Sequence, residues 1–300
     1  MIPIANIKDI PSLHPNYPFD LEIDGTIDGI LSSSVGITNR KDLLKSILNL
    51  IDLTSLEGAD TIAKIEGMCN KVLELERFSS IPNVAAVCVY PTFTKLVQQK
   101  LKPTKINTAC VAGAFPSGQS SLKVKLEEIK WAIEEGASEI DMVISRGKFL
   151  DGNYQEVFDE IVAIKKCCKN VHLKVIIESG ELQNNKNVRI ASDIAMYAGA
   201  DFIKTSTGKI SEGATYQSVY IMLSAINDFH RSTDKKIGMK PAGGISDIET
   251  ATNYLKLVEA TVGKDWFDNH LFRFGASRLA NNVLNELSVL INEPNLKNHF

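Results

Sequence analysis

The sequence predicts an α/β protein folded as a single (β/α)8 TIM barrel, with an N-terminal extension and an added N-terminal helix. Three observations point there. Strand and helix signals alternate eight times from about residue 50 onward, the pattern of a parallel sheet with helical crossovers. No Gly-x-Gly-x-x-Gly follows the first strand candidate, which favours a closed barrel over an open doubly wound sheet. The third is an internal echo: Gly136-Ala137-Ser138-Glu139-Ile140-Asp141 aligns with Gly199-Ala200-Asp201-Phe202-Ile203-Lys204. Asp141 and Lys204 thus share an offset from a helix-ending glycine, which predicts equal depth and a common inward face.

Residues 1–38 carry prolines at 3, 11, 15 and 18, scattered acids and Ser32-Ser33-Ser34. They are expected to form an extension without its own core, and residues 39–300 the barrel. Asn39 to Leu50 reads as the added helix, with Leu43, Leu44, Ile47 and Leu48 on one face. The strand candidates are Leu50 to Leu53, Val84 to Tyr90, Thr108 to Ala114, Glu139 to Ser145, Leu173 to Glu178, Phe202 to Thr207, Gly238 to Lys240 and Phe272 to Gly275. Among the helices between them, Ser121 to Glu135 is clearest, with Leu122, Leu126, Ile129 and Ile133 as its apolar stripe and Gly136 as its stop. Val157, Ile161 and Ile164 mark another, and Ile190, Ile194 and Tyr197 a third.

Composition narrows the function. The 300 residues suit either two average domains or one barrel. Thirty-three basic against thirty-six acidic residues give a formal charge of −3 without a basic stripe, so neither nucleic acid nor membrane is an expected partner. Cys69, Cys88, Cys110, Cys167 and Cys168 are odd in number and contain no Cys-x-x-Cys. That fits a reducing compartment. The start, Met1 to Asn6, lacks a basic region followed by an apolar core, and no apolar run approaches a membrane span. The expected location is cytoplasmic.

The chemistry gathers on strands. Phe202-Ile203-Lys204-Thr205-Ser206-Thr207-Gly208 carries one lysine, and Ile237-Gly238-Met239-Lys240-Pro241-Ala242-Gly243-Gly244 repeats the plan one unit later. A like charge at ~4 Å is worth about 4 kcal/mol at an effective dielectric near 20, so neighbouring lysines keep one amine neutral near physiological pH. A neutral amine forms a Schiff base with a carbonyl. The blander roles of a strand lysine are an ion pair at the barrel floor or a point charge on a phosphate. Asp52 and Thr54, Cys88, Asp141, and Lys174 with Glu178 place further polar groups on strands, where buried charge is paired or functional. Asp52 also suits a turn cap, and Cys88 a small core filler.

Gly243-Gly244-Ile245 leads into Ser246-Asp247-Ile248-Glu249, with capping-box spacing, and Gly275-Ala276-Ser277 opens another helix. With Gly208-Lys209 these strand ends form a candidate phosphate cradle, because helix starts present free N–H groups and partial positive charge. The five histidines show no metal-binding spacing. A lysine imine requires no metal or other cofactor. The residues therefore read as carbon–carbon bond chemistry at a carbonyl, with a carboxylate moving protons and phosphate held at the far end.

Seven blocks in order carry a family resemblance. They are Ile51-Asp52-Leu53-Thr54, Val87-Cys88-Val89-Tyr90-Pro91, Glu139-Ile140-Asp141, Lys174-Val175-Ile176-Ile177-Glu178, Phe202 to Gly208, Lys240-Pro241-Ala242-Gly243-Gly244 and Phe272-Arg273-Phe274-Gly275-Ala276-Ser277. From about Leu50 to Leu290 the chain resembles the 2-deoxyribose-5-phosphate aldolases, class I enzymes that reversibly cleave 2-deoxy-D-ribose 5-phosphate to acetaldehyde and D-glyceraldehyde 3-phosphate. The resemblance implies Lys204 as Schiff-base lysine, Lys240 as the neighbour depressing its pKa, and Asp141 as proton shuttle. It implies Asp52 and Lys174 in the polar network, Cys88 lining the pocket, and Gly208, Lys209, Gly243, Gly244, Gly275 and Ser277 on the phosphate. It also implies a homodimer or homotetramer. Other lysine-dependent aldolases, transaldolases and a non-catalytic sugar-phosphate-binding barrel are the rival readings. Three departures from the family pattern stand out: Arg278 after Ser277, Ser246 after Ile245, and a terminal Phe300 where some relatives end in tyrosine.

Overall fold

Short β-branched and apolar runs between glycine-bearing turns become strands here because helices cover their outer faces while the inner faces meet one another. The computed structural model describes residues 6–19 and 23–300. Residues 1–5, including most of the start considered above, and 20–22 of the expected extension lie outside the described residues. The strands are β1 (Ile51–Thr54), β2 (Ala86–Val89), β3 (Asn107–Ala112), β4 (Glu139–Val143), β5 (His172–Ile176), β6 (Phe202–Lys204), β7 (Gly238–Lys240) and β8 (Phe274–Ala276). The helices are α1 (Ile23–Leu31), α2 (Arg40–Asn49), α3 (Ile62–Leu75), α4 (Thr94–Leu101), α5 (Leu122–Glu134), α6 (Arg146–Leu150), α7 (Tyr154–Cys168), α8 (Asn185–Tyr197), α9 (Tyr216–Thr233), α10 (Ile248–Thr261) and α11 (Arg278–Leu290).

All strand pairs are parallel, in the order β7-β6-β5-β4-β3-β2-β1-β8. The ring closes between β7 and β8 through the parallel bridges Met239 with Phe272 and Ala242 with Gly275. Before α2, the buried residues Ile10, Ile23, Ile27 and Val35 join the core of the barrel helices, and Lys256 donates to the Leu31 carbonyl at 2.7 Å. α2 buries the expected Leu43, Leu44, Ile47 and Leu48, and Asn39 caps it by accepting from the amides of Lys41 and Asp42.

Several strands stop earlier than their residue types suggest because their last N–H groups turn to side chains. The amides of Gly113 and Ala114 both donate to Glu128 at 2.8 Å, and that of Thr207 donates to Glu178. The stripe expected on α5 packs on the core at Leu126, Ile129 and Ile133 but not at its first member. Lys125, Ile129 and Ala132 face inward, while Leu122 is exposed. Lysine holds the inward position because its ammonium meets Glu160 at 3.0 Å and Ser145 at 2.9 Å. At α10 the capping residue is Asp247, which accepts from the Thr250 amide at 2.7 Å, rather than a Ser246–Glu249 box.

Candidate active site

A closed eight-stranded barrel fills its interior with layers, each drawing one residue from every second strand. The observed register gives three such layers. Lowest lie Ala86, Glu139, Phe202 and Arg273. Above them come Asp52, Ala109, Lys174 and Lys240, and then Cys88, Asp141, Lys204 and Gly275. Asp141 and Lys204 therefore share a layer, as their equal offsets from Gly136 and Gly199 predict. Small apolar residues fill the β2 and β3 side, Ala86, Cys88, Ala109 and Val111. Charge fills the rest.

Seven ionisable side chains meet there, all at most 2% exposed. Lys204 Nζ and Lys240 Nζ each lie 2.8 Å from the same atom, Oδ2 of Asp141. Lys240 also meets Asp52 at 2.5 Å. Lys174 reaches Asp141 Oδ1 at 2.9 Å and Glu139 at 2.5 Å. Arg273 spans Asp52 at 2.5 Å and Glu139 at 2.8 Å. Its guanidinium and the Lys174 ammonium also approach the Phe202 ring, at 5.9 and 6.0 Å from the centroid. Gly238 makes room for that ring, since a Cβ there would lie 2.3 Å from it.

Three carboxylates thus face four cationic groups, and a buried cluster is lowest in energy when its charges balance. One amine is the surplus. Burial is the largest influence on Lys204 and drives its pKa below the usual lysine value; Asp141 opposes this and Lys240 reinforces it. Burial acts on Lys240 in the same direction, but Asp141 and Asp52 together outweigh it and raise that pKa. Lys174 is likewise raised, by Asp141, Glu139 and Asp52 against its burial. The difference is the count of carboxylates: Lys204 has one contact, its neighbours two or more. Asp141 is held well below the ordinary carboxylate range, its burial overcome by Lys174, Lys204 and Lys240. Burial pushes the Cys88 thiol up, leaving a neutral small side chain in the top layer.

Over this cluster opens a cleft of about 260 Å³. Lys204 borders it, together with Thr54, Leu56, Glu57, Thr207, Gly208, Lys209, Gly243, Gly244, Gly275, Ser277 and Arg278. Gly208, Gly243 and Gly244 have left-handed backbone, with φ of 75°, 84° and 80°, which glycine adopts at little cost. Lys209 is drawn to Glu57 at 3.0 Å. Arg278 begins α11 and Ser277 precedes it without a side-chain capping bond. Phe300 docks on α11 through its backbone, the amide donating to Asn281 at 2.7 Å. A larger cavity of about 770 Å³ lies between α8, α9 and Tyr17 to Phe19. None of the charged interior residues lines it, whereas Lys204 borders the smaller cleft, which is therefore the candidate site.

The residues singled out from sequence, apart from Glu178, which bonds Arg146 and Thr207 instead, are accordingly brought together in two groups. Asp52, Asp141, Lys174, Lys204 and Lys240 form the charged interior, with Cys88 buried beside them. Thr54 and the six expected phosphate residues surround the cleft. Sequence reasoning gave no role to Glu139 or Arg273, although Glu139 precedes Asp141 by the strand period of two and so shares its face. Glu57, on the loop after β1, carried no signal.

The chain is similar to known proteins over most of its length. The profile of the DeoC/LacD family aldolase matches residues 46–271. The human protein named deoxyribose-phosphate aldolase is 44% identical over 252 residues, covering 80% of this chain and 79% of its own. Among solved structures, "QR15, an Aldolase" superposes with a TM-score of 0.66 at 30% identity, covering 82% of this chain and 99% of its own. The tetrameric deoxyribose phosphate aldolase of Aeropyrum pernix shares the fold, with a TM-score of 0.64 at 23% identity over 84% of this chain and 99% of its own. With its barrel, its lysine-bearing cleft and a profile match over most of its length, the chain belongs to the DeoC/LacD family of aldolases.

Proposed function

We propose that the chain is a class I, Schiff-base aldolase that reversibly cleaves 2-deoxy-D-ribose 5-phosphate to acetaldehyde and D-glyceraldehyde 3-phosphate, in deoxyribose phosphate catabolism. The observation that carries the reading is the pair of lysines on one Asp141 oxygen, with Lys204 both the amine of depressed pKa and the one at the cleft.

Neutral Lys204 attacks the substrate aldehyde, and loss of water gives an iminium beside the Asp141 carboxylate. Removal of the proton from the C3 hydroxyl breaks the C2–C3 bond. The electron pair moves toward the iminium nitrogen, leaving an enamine on Lys204 and releasing D-glyceraldehyde 3-phosphate. Protonation of the enamine at C2 and hydrolysis then free acetaldehyde and the amine. Asp141 and Lys240, bonded to each other, relay the protons. Asp52, Lys174, Glu139 and Arg273 fix them in place. Gly208, Lys209, Gly243, Gly244, Gly275 and Ser277 receive the phosphate, with Arg278 adding a guanidinium from the start of α11.

In this reading residues 39–300 are the catalytic barrel, residues 1–38 an extension, and the assembly a homodimer or homotetramer. A cytoplasmic location suits the five thiols; among the described residues no helix is long and apolar enough to cross a membrane. The test is product analysis with 2-deoxy-D-ribose 5-phosphate. Release of acetaldehyde at equal rate with D-glyceraldehyde 3-phosphate is expected. Cleavage to other fragments, or transfer to an acceptor without acetaldehyde, would assign the barrel to another lysine-dependent aldolase or a transaldolase.

A further inference from the structure

Glu178 follows β5 with a left-handed backbone, φ 54° and ψ 61°, a conformation that is strained for a non-glycine residue and persists where its surroundings impose it. Its side chain is fully buried and lies outside the cleft lining. One oxygen accepts the Thr207 amide at 3.0 Å; the other accepts the Thr207 hydroxyl at 2.5 Å and Arg146 Nη1 at 3.0 Å. Arg146 also meets Glu181 at 3.0 Å and donates to the carbonyls of Pro116 and Ser117 at 3.2 and 3.0 Å. One guanidinium therefore joins the loops after β3 and β5 to the start of α6, and Glu178 extends that tie to the end of β6. There Thr207 Oγ1 accepts the Lys209 amide at 3.1 Å, which sets the Gly208–Lys209 turn.

A hydroxyl has one proton and two lone pairs. At Thr207 the proton goes to Glu178 and one lone pair to Lys209, so a single lone pair remains for the cleft. We propose that Arg146 and Glu178 are a positioning pair: they fix Thr207 as a pure acceptor for a substrate hydroxyl and hold the Gly208–Lys209 turn for the phosphate end. This rests on the aldolase reading and assigns the pair a part in recognising the distal half of the sugar phosphate. It leaves the imine step at Lys204 untouched.

Glu178→Gln tests it, because a carboxamide cannot accept from all three donors at once. The KM for 2-deoxy-D-ribose 5-phosphate should rise about tenfold with kcat changed less than threefold, the scale expected when a positioned contact shifts. Inorganic phosphate should weaken as a ligand by a similar factor. Borohydride trapping of acetaldehyde, which has neither hydroxyl nor phosphate, should match wild type. Arg146→Gln should act in the same direction, and Glu178→Gln combined with Thr207→Val should fall short of the product of the single effects. An unchanged KM and phosphate affinity, or equal losses in trapping and in KM, would overturn the proposal. Phosphate affinity is read without turnover, so a wild-type protein that fails to cleave the sugar phosphate counts against the aldolase reading and not against the pair.

Discussion

Lys204 and Lys240 donate to the same oxygen, Oδ2 of Asp141, each at 2.8 Å. Two ammonium groups held beside one carboxylate oxygen repel each other, which makes one of them the easier to deprotonate. The neighbours decide which: Asp52 stands against Lys240, and the cleft opens beside Lys204. Burial depresses the Lys204 pKa most, so the like charge of Lys240 is a second contribution to that depression rather than the leading one.

Lys240→Leu should therefore raise the Lys204 pKa, since it deletes a cation and leaves Asp52 and Asp141 less compensated. The acid limb of the kcat/KM profile, which follows loss of the Lys204 proton, moves to higher pH. The direction follows from removing a like charge beside Lys204. A pH profile identical to wild type would remove Lys240 from the control of Lys204.

Asp141→Asn keeps the shape of the side chain but gives up its charge and, with it, the proton relay proposed for it. Trapping of an aldehyde on Lys204 should survive while turnover falls about 10²- to 10⁴-fold, the usual worth of a positioned acid–base group. Full turnover in the variant would show that protons take another route.

At the cleft rim, the two ends of one ion pair should behave oppositely. Lys209→Ala should raise KM for phosphorylated sugars with little effect on unphosphorylated 2-deoxyribose. Glu57→Gln frees Lys209 from its carboxylate and removes a negative charge from the cleft, so KM for the phosphate ester should fall about two- to fivefold, in the range of an exposed ion pair. Parallel changes for both sugars would show that this rim does not read phosphate.

Arg273 neutralises Asp52 and Glu139 from below. Arg273→Met leaves both carboxylates buried without it and should cost about 3–5 kcal/mol in denaturant unfolding. A loss below about 1 kcal/mol would mean that the lower layer tolerates open charge.

Acid should act on the same cluster. Lys240, Arg273 and Lys174 outweigh burial at Asp52 and hold it below its ordinary value, and Asp141 is lowered likewise. Their stabilisation is fully present above the unfolded carboxylate pKa near ~4 and is lost as pH falls through the lower folded values. Stability measured between pH 6 and 2 should fall most steeply below about pH 4, and this slope should flatten in Asp52→Asn.

Much of this was legible in the chain itself. Strand types followed from β-branched runs between glycines, and the equal offsets of Asp141 and Lys204 gave their common layer because the side-chain period of a strand is fixed. Glu139 and Arg273 were harder to assign, since their partners come from β1, β4, β5 and the start of β8, residues far apart until the barrel closes. The inward turn of Lys125 on α5 is hidden for a similar reason: it is buried only because Glu160 and Ser145 meet its ammonium. Strand ends ran short where Glu128 and Glu178 took over backbone amides. Side chains competing for the ladder leave no periodic trace.

The most direct measurement is peptide mass spectrometry after incubation with 2-deoxy-D-ribose 5-phosphate or acetaldehyde and borohydride reduction. A single reduced two-carbon adduct on Lys204, absent from Lys240 and lost in Lys204→Leu, is the expected result. An adduct on Lys240 alone would reverse the roles of the two amines, and no adduct under conditions of active cleavage would contradict imine chemistry at this site.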